Sequence, residues 1–271
     1  MTSARAKTLR IGGGPITPVT RALPEEVPVA LVYNGTTQAV MMATPSDLED
    51  FAVGFSLSEG IVTTPEQIED LTIETHAAGI ECRMWLSEDR AEALLHRRRA
   101  MAGPVGCGLC GIDSLDQVTR PLPRVTADPG LSVSQITGAT EALRAAQPLH
   151  DETRAAHAAG FIDPRGLRLA REDVGRHNAL DKVIGAMARE GIAPATGAIV
   201  LTSRVSIELI QKTAMAGCGM LIAVSAPTTR AVATADEAGL TLIALARGEG
   251  AEVFTHPDRI PGLRQGTAHV A

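Results

Sequence analysis

A chain of 271 residues that is 45% hydrophobic and 21% charged has the composition of a globular protein, which excludes collagen-like, disordered and coiled-coil classes. Its four Phe, one Tyr and one Trp leave an aliphatic core and too few rings for a base-stacking platform. With 25 basic against 31 acidic residues the net charge is −6, which repels a polyanion, so nucleic acid is not expected as a partner, whereas a small phosphorylated ligand is compatible.

No run approaches the ~20 apolar residues that cross a bilayer. Met1 to Ile11 carries Arg5, Lys7 and Arg10 without the apolar stretch of a secretion signal, so the expected location is the cytoplasm and no membrane is expected as a partner. Cys82, Cys107, Cys110 and Cys218 are too few to staple a chain of this size and would stay thiols in a reducing compartment.

Val27, Val29, Leu31 and Tyr33 alternate with a period of two, Asn34-Gly35 supplies a tight hairpin turn, and Thr36 to Met42 forms the return strand. Thr44 then reads as an N-cap with Pro45 at the first helical position; Leu48, Phe51, Ala52 and Phe55 share one face, and Gly60 ends the helix. Leu71 to Thr75 and Ile80 to Leu86 read as strands, followed by a helix from about Glu88 whose Arg97-Arg98-Arg99 end is a solvated terminus favourable to the helix dipole. Met101 to Leu131 fits neither a helical nor a strand register, and a connection of that length divides the chain into an α+β region over 1–125 and a second domain over 126–271.

The second half alternates strands with short helices. A helix over about Ser132 to Gln147 precedes strands at Ala158 to Ile162 and Leu167 to Arg171, joined by a Pro164-Arg165-Gly166 turn. A helix with Leu180, Val183, Ile184 and Met187 on one face ends at Gly191. Strand Ala198 to Thr202, helix Ser206 to Ala216, strand Met220 to Ser225, helix Thr228 to Ala238 and strand Leu240 to Ala246 complete the pattern. Continuous apolar strands predict a parallel sheet covered on both faces, a three-layer α/β sandwich. Open α/β sheets bind ligands beyond the carboxyl ends of their strands, and Arg171, Arg204 and Arg247 stand at those ends as candidate phosphate ligands. Asp173 reads as a helix cap, Glu172 and Lys182 as an ion pair or surface charges, and His177 as a capping side chain or a proton donor.

Gly106-Cys107-Gly108-Leu109-Cys110-Gly111 holds two thiols that can close a disulfide, share a metal, or act as nucleophile and resolver. The flanking glycines strip bulk from the sulfurs and free the backbone, so that another protein's active site can approach. A structural zinc site asks for four ligands, and Cys82 and Cys218 read as isolated buried hydrophobes. A zinc base deaminase would need H-x-E with P-C-x-x-C; Gly106 precedes Cys107 where that signature has proline.

Several stretches in order resemble the FdhD proteins, sulfurtransferases accessory to formate dehydrogenase. They are Asp47 to Phe55 with Glu59-Gly60, the Cys107/Cys110 loop, Arg171 to Lys182, Glu208 to Gly217, Ser225 to Thr228, and Glu237 to Leu242 running into Arg247-Gly248. The resemblance spans roughly Glu25 to Pro257. It implies a cytidine-deaminase-like three-layer α/β sandwich without the zinc, preceded by a smaller α+β domain, in a protein that is typically a homodimer. It also implies sulfur taken as a persulfide from a cysteine desulfurase and passed to the molybdenum or tungsten bis(molybdopterin guanine dinucleotide) cofactor of formate dehydrogenase. That cofactor is a bound client, with no permanent cofactor or metal. By resemblance Cys107 carries the persulfide, Cys110 assists, and Leu245, Ala246, Arg247, Gly248, Glu249 and Gly250 meet the guanine nucleotide. The chain departs from the family in Gly111-Ile112, where a polar or basic residue is usual, and Glu249 brings a negative charge to a phosphate-facing segment. Two alternatives are a thiol–disulfide oxidoreductase and a non-enzymatic carrier of the molybdopterin cofactor.

Overall fold

In a computed structural model, residues 2–100, 121–248 and 250–263 are described, the side chains of residues 96–100 excepted; Cys107, Cys110 and Glu249 lie outside the described residues. The chain opens with a two-stranded hairpin, β1 (Ser3–Arg10) and β2 (Thr17–Pro24). A four-stranded sheet follows: β3 (Val27–Tyr33), β4 (Thr36–Ala43), β5 (Ile68–His76) and β6 (Gly79–Leu86), in the order β4-β3-β6-β5. Asn34 (φ 48°) and Gly35 (φ 76°) make the expected hairpin turn, where both central residues need positive φ.

Helix α1 (Leu48–Ser58) covers this sheet with Phe51, Ala52 and Phe55, closing a core that includes Tyr33, Leu31 and Met84. The helix begins three residues later than the Thr44-Pro45 reading places it, with Asp47 at its N-cap. Thr44 instead sits buried in the seam described below. Helix α2 (Glu88–Ala100) follows β6.

Residues 121–131 lack regular structure, though Val125 and Leu131 are buried. Ser132 then caps α3 (Val133–Ala145) through a capping box with Gln135, and α4 (Pro148–Thr153) is a short helix that sequence reading missed. The main sheet comprises β7 (His157–Asp163), β8 (Gly166–Asp173), β9 (Ala198–Leu201), β10 (Met220–Ala223), β11 (Thr241–Arg247) and β12 (Gly250–Val253), in the order β12-β11-β10-β9-β7-β8. Helices α5 (Arg176–Arg189), α6 (Ile207–Met215) and α7 (Thr229–Glu237) lie between its strands in sequence.

The expected parallel sheet is corrected to a mixed one. Only β9, β10 and β11 run parallel; β7 is antiparallel to β8 and to β9, and β12 is antiparallel to β11. The β7–β8 and β11–β12 connections are two residues long, too short for a parallel crossover. The strands still read as apolar runs because both faces are covered. Ile199, Leu201, Leu221 and Leu242 pack toward α5, α6 and α7, while Val200, Met220, Ile222 and Ile243 pack toward α3. The result is the expected three-layer α/β/α arrangement.

Helix α1 meets α5 at very close range. A Cβ added to Gly54 would stand 1.7 Å from the Asp181 carbonyl oxygen, and one on Gly185 would stand 1.9 Å from that of Asp50. Two glycines therefore let the backbones touch. Buried polar groups close the seam on either side. Lys182 and Asp173, both fully buried, pair at 2.7 Å. Asp173 also accepts N–H bonds from Thr44 and Gly175 and one from the Asn178 amide, and Lys182 donates to the Thr44 carbonyl. The second group has Lys212 bonded to Asp181, Glu59 and Ser58, with Ser58 donating to Asp181 at 2.7 Å. Burial pushes the Asp181 carboxyl up to about 6 against the pull of Lys212.

Candidate functional site

Residues 198–201, 220–223 and 241–247 form parallel strands whose carboxyl ends share one rim, where helix N-termini and side chains replace the sheet's hydrogen bonding. Because β7 runs antiparallel to β9, with Ala159 opposite Leu201, the start of β7 arrives at the same rim. A cleft of about 770 Å³ opens there between the strand ends, the last turns of α3, and α4 with the segment behind it. A volume of this order suits a nucleotide-sized ligand.

The floor of the cleft is set by an irregularity in β11. Pairing with β12 shifts between Ala244 and Arg247, and Leu245 takes φ 54°. In a regular strand Ala244 and Ala246 would face the same side. Here Ala244 packs toward α5–α7 and Ala246 toward the α3 side. The bulge thus turns Ala246, Arg247 and Gly248 onto the cleft wall, while the Leu245 side chain is 38% exposed and is not part of the lining. Gly250 belongs to β12, opposite Arg247, and is also absent from the lining.

Of the three arginines expected on the rim, only Arg247 lines the cleft, its Nε donating to the Val224 carbonyl at 3.2 Å. Arg171 is corrected to a structural role. It is held by Asp50 at 2.8 Å and lies near Asp47, because its position on β8 points it at the start of α1. Arg204 is exposed and outside the lining. The expected Glu172–Lys182 pair is corrected as well: Lys182 pairs with Asp173, and Glu172 accepts the N–H groups of Leu149 and His150 at the start of α4. Nor does Asp173 act as a plain helix cap, since Gly175 is the N-cap of α5 and the carboxylate is spent on the seam. Burial, reinforced by Arg176 and Lys212, lowers His177 to about 4, so its imidazole is neutral near pH 7 and has no extra proton to give.

The cleft draws its other polar side chains from Thr140, Glu141, Arg144, Gln147, His150, Arg154, His157 and Thr202, of which only Thr202 stands at an expected strand end. Arg144 is paired with Asp151, and the His150 ring meets the Ala156 carbonyl at 3.1 Å. Arg154 and Arg247 have no ion pair among the described residues. Burial, with Arg176 adding to it and Asp173 opposing, lowers His157 below the ordinary histidine range. Gln147 is the most telling. It is 2% exposed, and its Oε1 has no hydrogen-bond partner among the described residues although it lines an open cleft. Leaving such an acceptor buried and unpaired costs about 1–3 kcal/mol, which a ligand's N–H group would recover. Arginines without carboxylates match phosphate oxygens, and the orphaned amide matches a donor edge such as that of guanine. The signal in sequence was slight: Gln147-Pro148 marks a helix start, but nothing local says that it faces the rim.

The remaining thiols are set apart from this chemistry. Cys82 and Cys218 are fully buried, as expected. Burial pushes Cys82 up to about 12 and Cys218 up to about 11, so neither offers thiolate near pH 7.

Comparison with known proteins gives a consistent result. The FdhD/NarQ family matches residues 24–261. A protein of Agrobacterium fabrum named sulfur carrier protein FdhD is 53% identical over 248 residues, covering 90% of this chain and 92% of its own. A Brucella abortus protein of the same name is 54% identical over 242 residues, covering 89% and 90%. In fold, the chain is similar to a crystal structure from Desulfotalea psychrophila described as a formate dehydrogenase accessory protein. The TM-score is 0.75 at 24% identity, over 96% of this chain and all of that one. Among the described residues no helix is long and apolar enough to cross a membrane.

Proposed function

The chain belongs to the FdhD/NarQ family, and from that premise we propose that it is a sulfur carrier working between a cysteine desulfurase and the molybdenum or tungsten bis(molybdopterin guanine dinucleotide) cofactor of formate dehydrogenase. The cofactor is cargo. Its guanine nucleotide lies in the rim cleft, with phosphate oxygens on Arg247 and Arg154 and a donor edge of the base on Gln147. A homodimer offers two such clefts to a cargo with two nucleotide tails.

The sulfur step runs through Cys107. Its thiolate attacks the terminal sulfur of the desulfurase persulfide; a new S–S bond forms on Cys107, the old one breaks, and the desulfurase cysteine leaves as thiolate. One sulfane sulfur changes hands and no net oxidation occurs. Delivery as sulfide follows if the Cys110 thiolate attacks the inner sulfur of Cys107: sulfide leaves, a Cys107–Cys110 disulfide remains, and a cellular dithiol restores the pair.

Two observations support this reading. With Cys82 and Cys218 buried and protonated, the glycine-flanked pair is left as the source of reactive thiolate. The single observation that carries the cargo assignment is the rim cleft with its Gln147 oxygen unpartnered among the described residues and with Arg154 and Arg247, which make no ion pair there. Calorimetric titration with GDP tests it: binding that GDP shows and ADP lacks is expected, and equal indifference to both would overturn it. Incubation with a desulfurase and cysteine should add one sulfur to Cys107, removable by dithiothreitol; a folded protein without that adduct would remove the carrier role.

A further inference from the structure

The first 24 residues carry Arg5, Lys7, Arg10 and Arg21 and no acidic residue, so a chain of net charge −6 divides into an arm at +4 and a body at −10. That arm is the β1–β2 hairpin. All four cations are exposed, and none has an ion pair among the described residues. Among the described residues its strands pair only with each other, which leaves both outer edges of the ribbon without a neighbouring strand. Its lower part is anchored: Ala22 is buried, β2 packs against α4, and Glu25 donates to the Thr2 carbonyl. Toward the tip, Leu9, Ile11 and Ile16 are 64%, 77% and 65% exposed. Beyond that packing, a two-stranded tip holding apolar residues in water is at best marginally stable by itself, so it asks for a partner surface. At about 3.3 Å per residue, eight-residue strands let the arm reach about 26 Å from its base.

The body holds a surface of opposite character. Strand β5 is an edge of the four-stranded sheet, and Glu66, Glu69 and Asp70 line its start, all exposed and without an ion pair among the described residues. Two β5 edges would repel each other, and so would two arms. Arm against β5 is the combination that charge favours.

We propose that the β1–β2 arm docks along the acidic β5 edge of a second copy of this chain. The exchange is reciprocal, each arm reaching the other's β5, so the contact closes on itself as a twofold dimer. The inference deepens the homodimer reading given above and is independent of the sulfur chemistry.

Paired charge reversals test it. The variants are R5E/K7E/R10E/R21E, with its arm made acidic, and E66K/E69K/D70K, with its β5 edge made basic. Sedimentation velocity at about 10 µM protein and about 50 mM NaCl should show the wild type as a dimer, each variant alone as a monomer, and their equimolar mixture as a 1:1 heterodimer, because every arm then meets an edge of opposite sign. At about 500 mM NaCl the wild-type dissociation constant should rise at least about tenfold. Circular dichroism and the emission of the single tryptophan, Trp85, identify any variant that fails to fold, in which case deletion of residues 2–24 replaces it and should likewise give a monomer. A wild type that sediments as a monomer sinks the homodimer reading and this inference together. A dimer that both variants form as readily as the wild type, or folded variants that stay apart when mixed, overturns the arm contact and leaves the dimer standing.

Discussion

The rim cleft and the α1–α5 seam both concentrate charge, in opposite states. In the seam, Asp173, Lys182, Asp181 and Lys212 are buried and each charge finds an opposite one within 2.9 Å. In the cleft, Arg154 and Arg247 line open space and make no ion pair among the described residues, and the Gln147 oxygen is buried there without a donor. Charge that is fully paired holds chain to chain; polar groups left unpaired beside a cavity are arranged for something that arrives later. The seam joins the N-terminal sheet to the six-stranded one through α1 and α5, and so fixes the frame on which the cleft is mounted.

The sharpest way to break this contrast is in the seam. Lys182→Met should lose about 3–5 kcal/mol of stability by urea unfolding, since Asp173 is left as a buried charge without its partner. Gly54→Ala should cost about 3 kcal/mol or more, because the new methyl must push the Asp181 backbone away. In the cleft, Arg247→Ala should leave the unfolding midpoint unchanged while GDP affinity falls by about 1.5–3 kcal/mol, the worth of a charge-assisted bond. Gln147→Leu should show the two effects with opposite signs. GDP binding weakens severalfold, yet the free protein gains up to about 1 kcal/mol from removal of an unsatisfied acceptor. A loss of stability in that variant would mean that Gln147 serves the fold.

The smallest effect lies outside both regions, at the β7–β8 turn. The side-chain bonds from Arg165, aided by Arg168 and the Arg165 backbone, hold the buried Asp163 carboxyl down to about 2, below the ordinary 3.8. A carboxyl depressed in the folded state stabilises above its unfolded pKa, and that contribution disappears as pH falls from about 4 to about 2. Asp163→Asn should flatten the acid limb of a stability–pH curve in that window and leave its shape at neutral pH unaltered.

Much of the frame was legible in advance. The Asn34-Gly35 hairpin, the helix beginning near Ser132 and the apolar runs of β9, β10 and β11 follow from local chemistry, and Arg247 does stand at a strand end that lines the cleft. The hairpin β1–β2 was missed because its residues show no apolar alternation, and β12 because it is a four-residue edge strand. Arg171 and Arg204 were misplaced for a different reason. A strand end fixes where a residue stands but not which face its side chain takes, and Asp50 claims Arg171 from 121 positions away.

By itself, the sequence determined most of the elements from β3 to β11, the three-layer arrangement and the net positive charge of the first 24 residues, because these depend on propensity, periodicity and composition. Only the tertiary structure decided that β7 runs antiparallel and carries His157 to the rim, that a bulge at Leu245 turns Ala246 into the cleft, and that Gln147 is left without a donor. Each of these depends on strand direction, register or the absence of a distant partner, and such quantities come into being only when segments far apart in the chain are packed together.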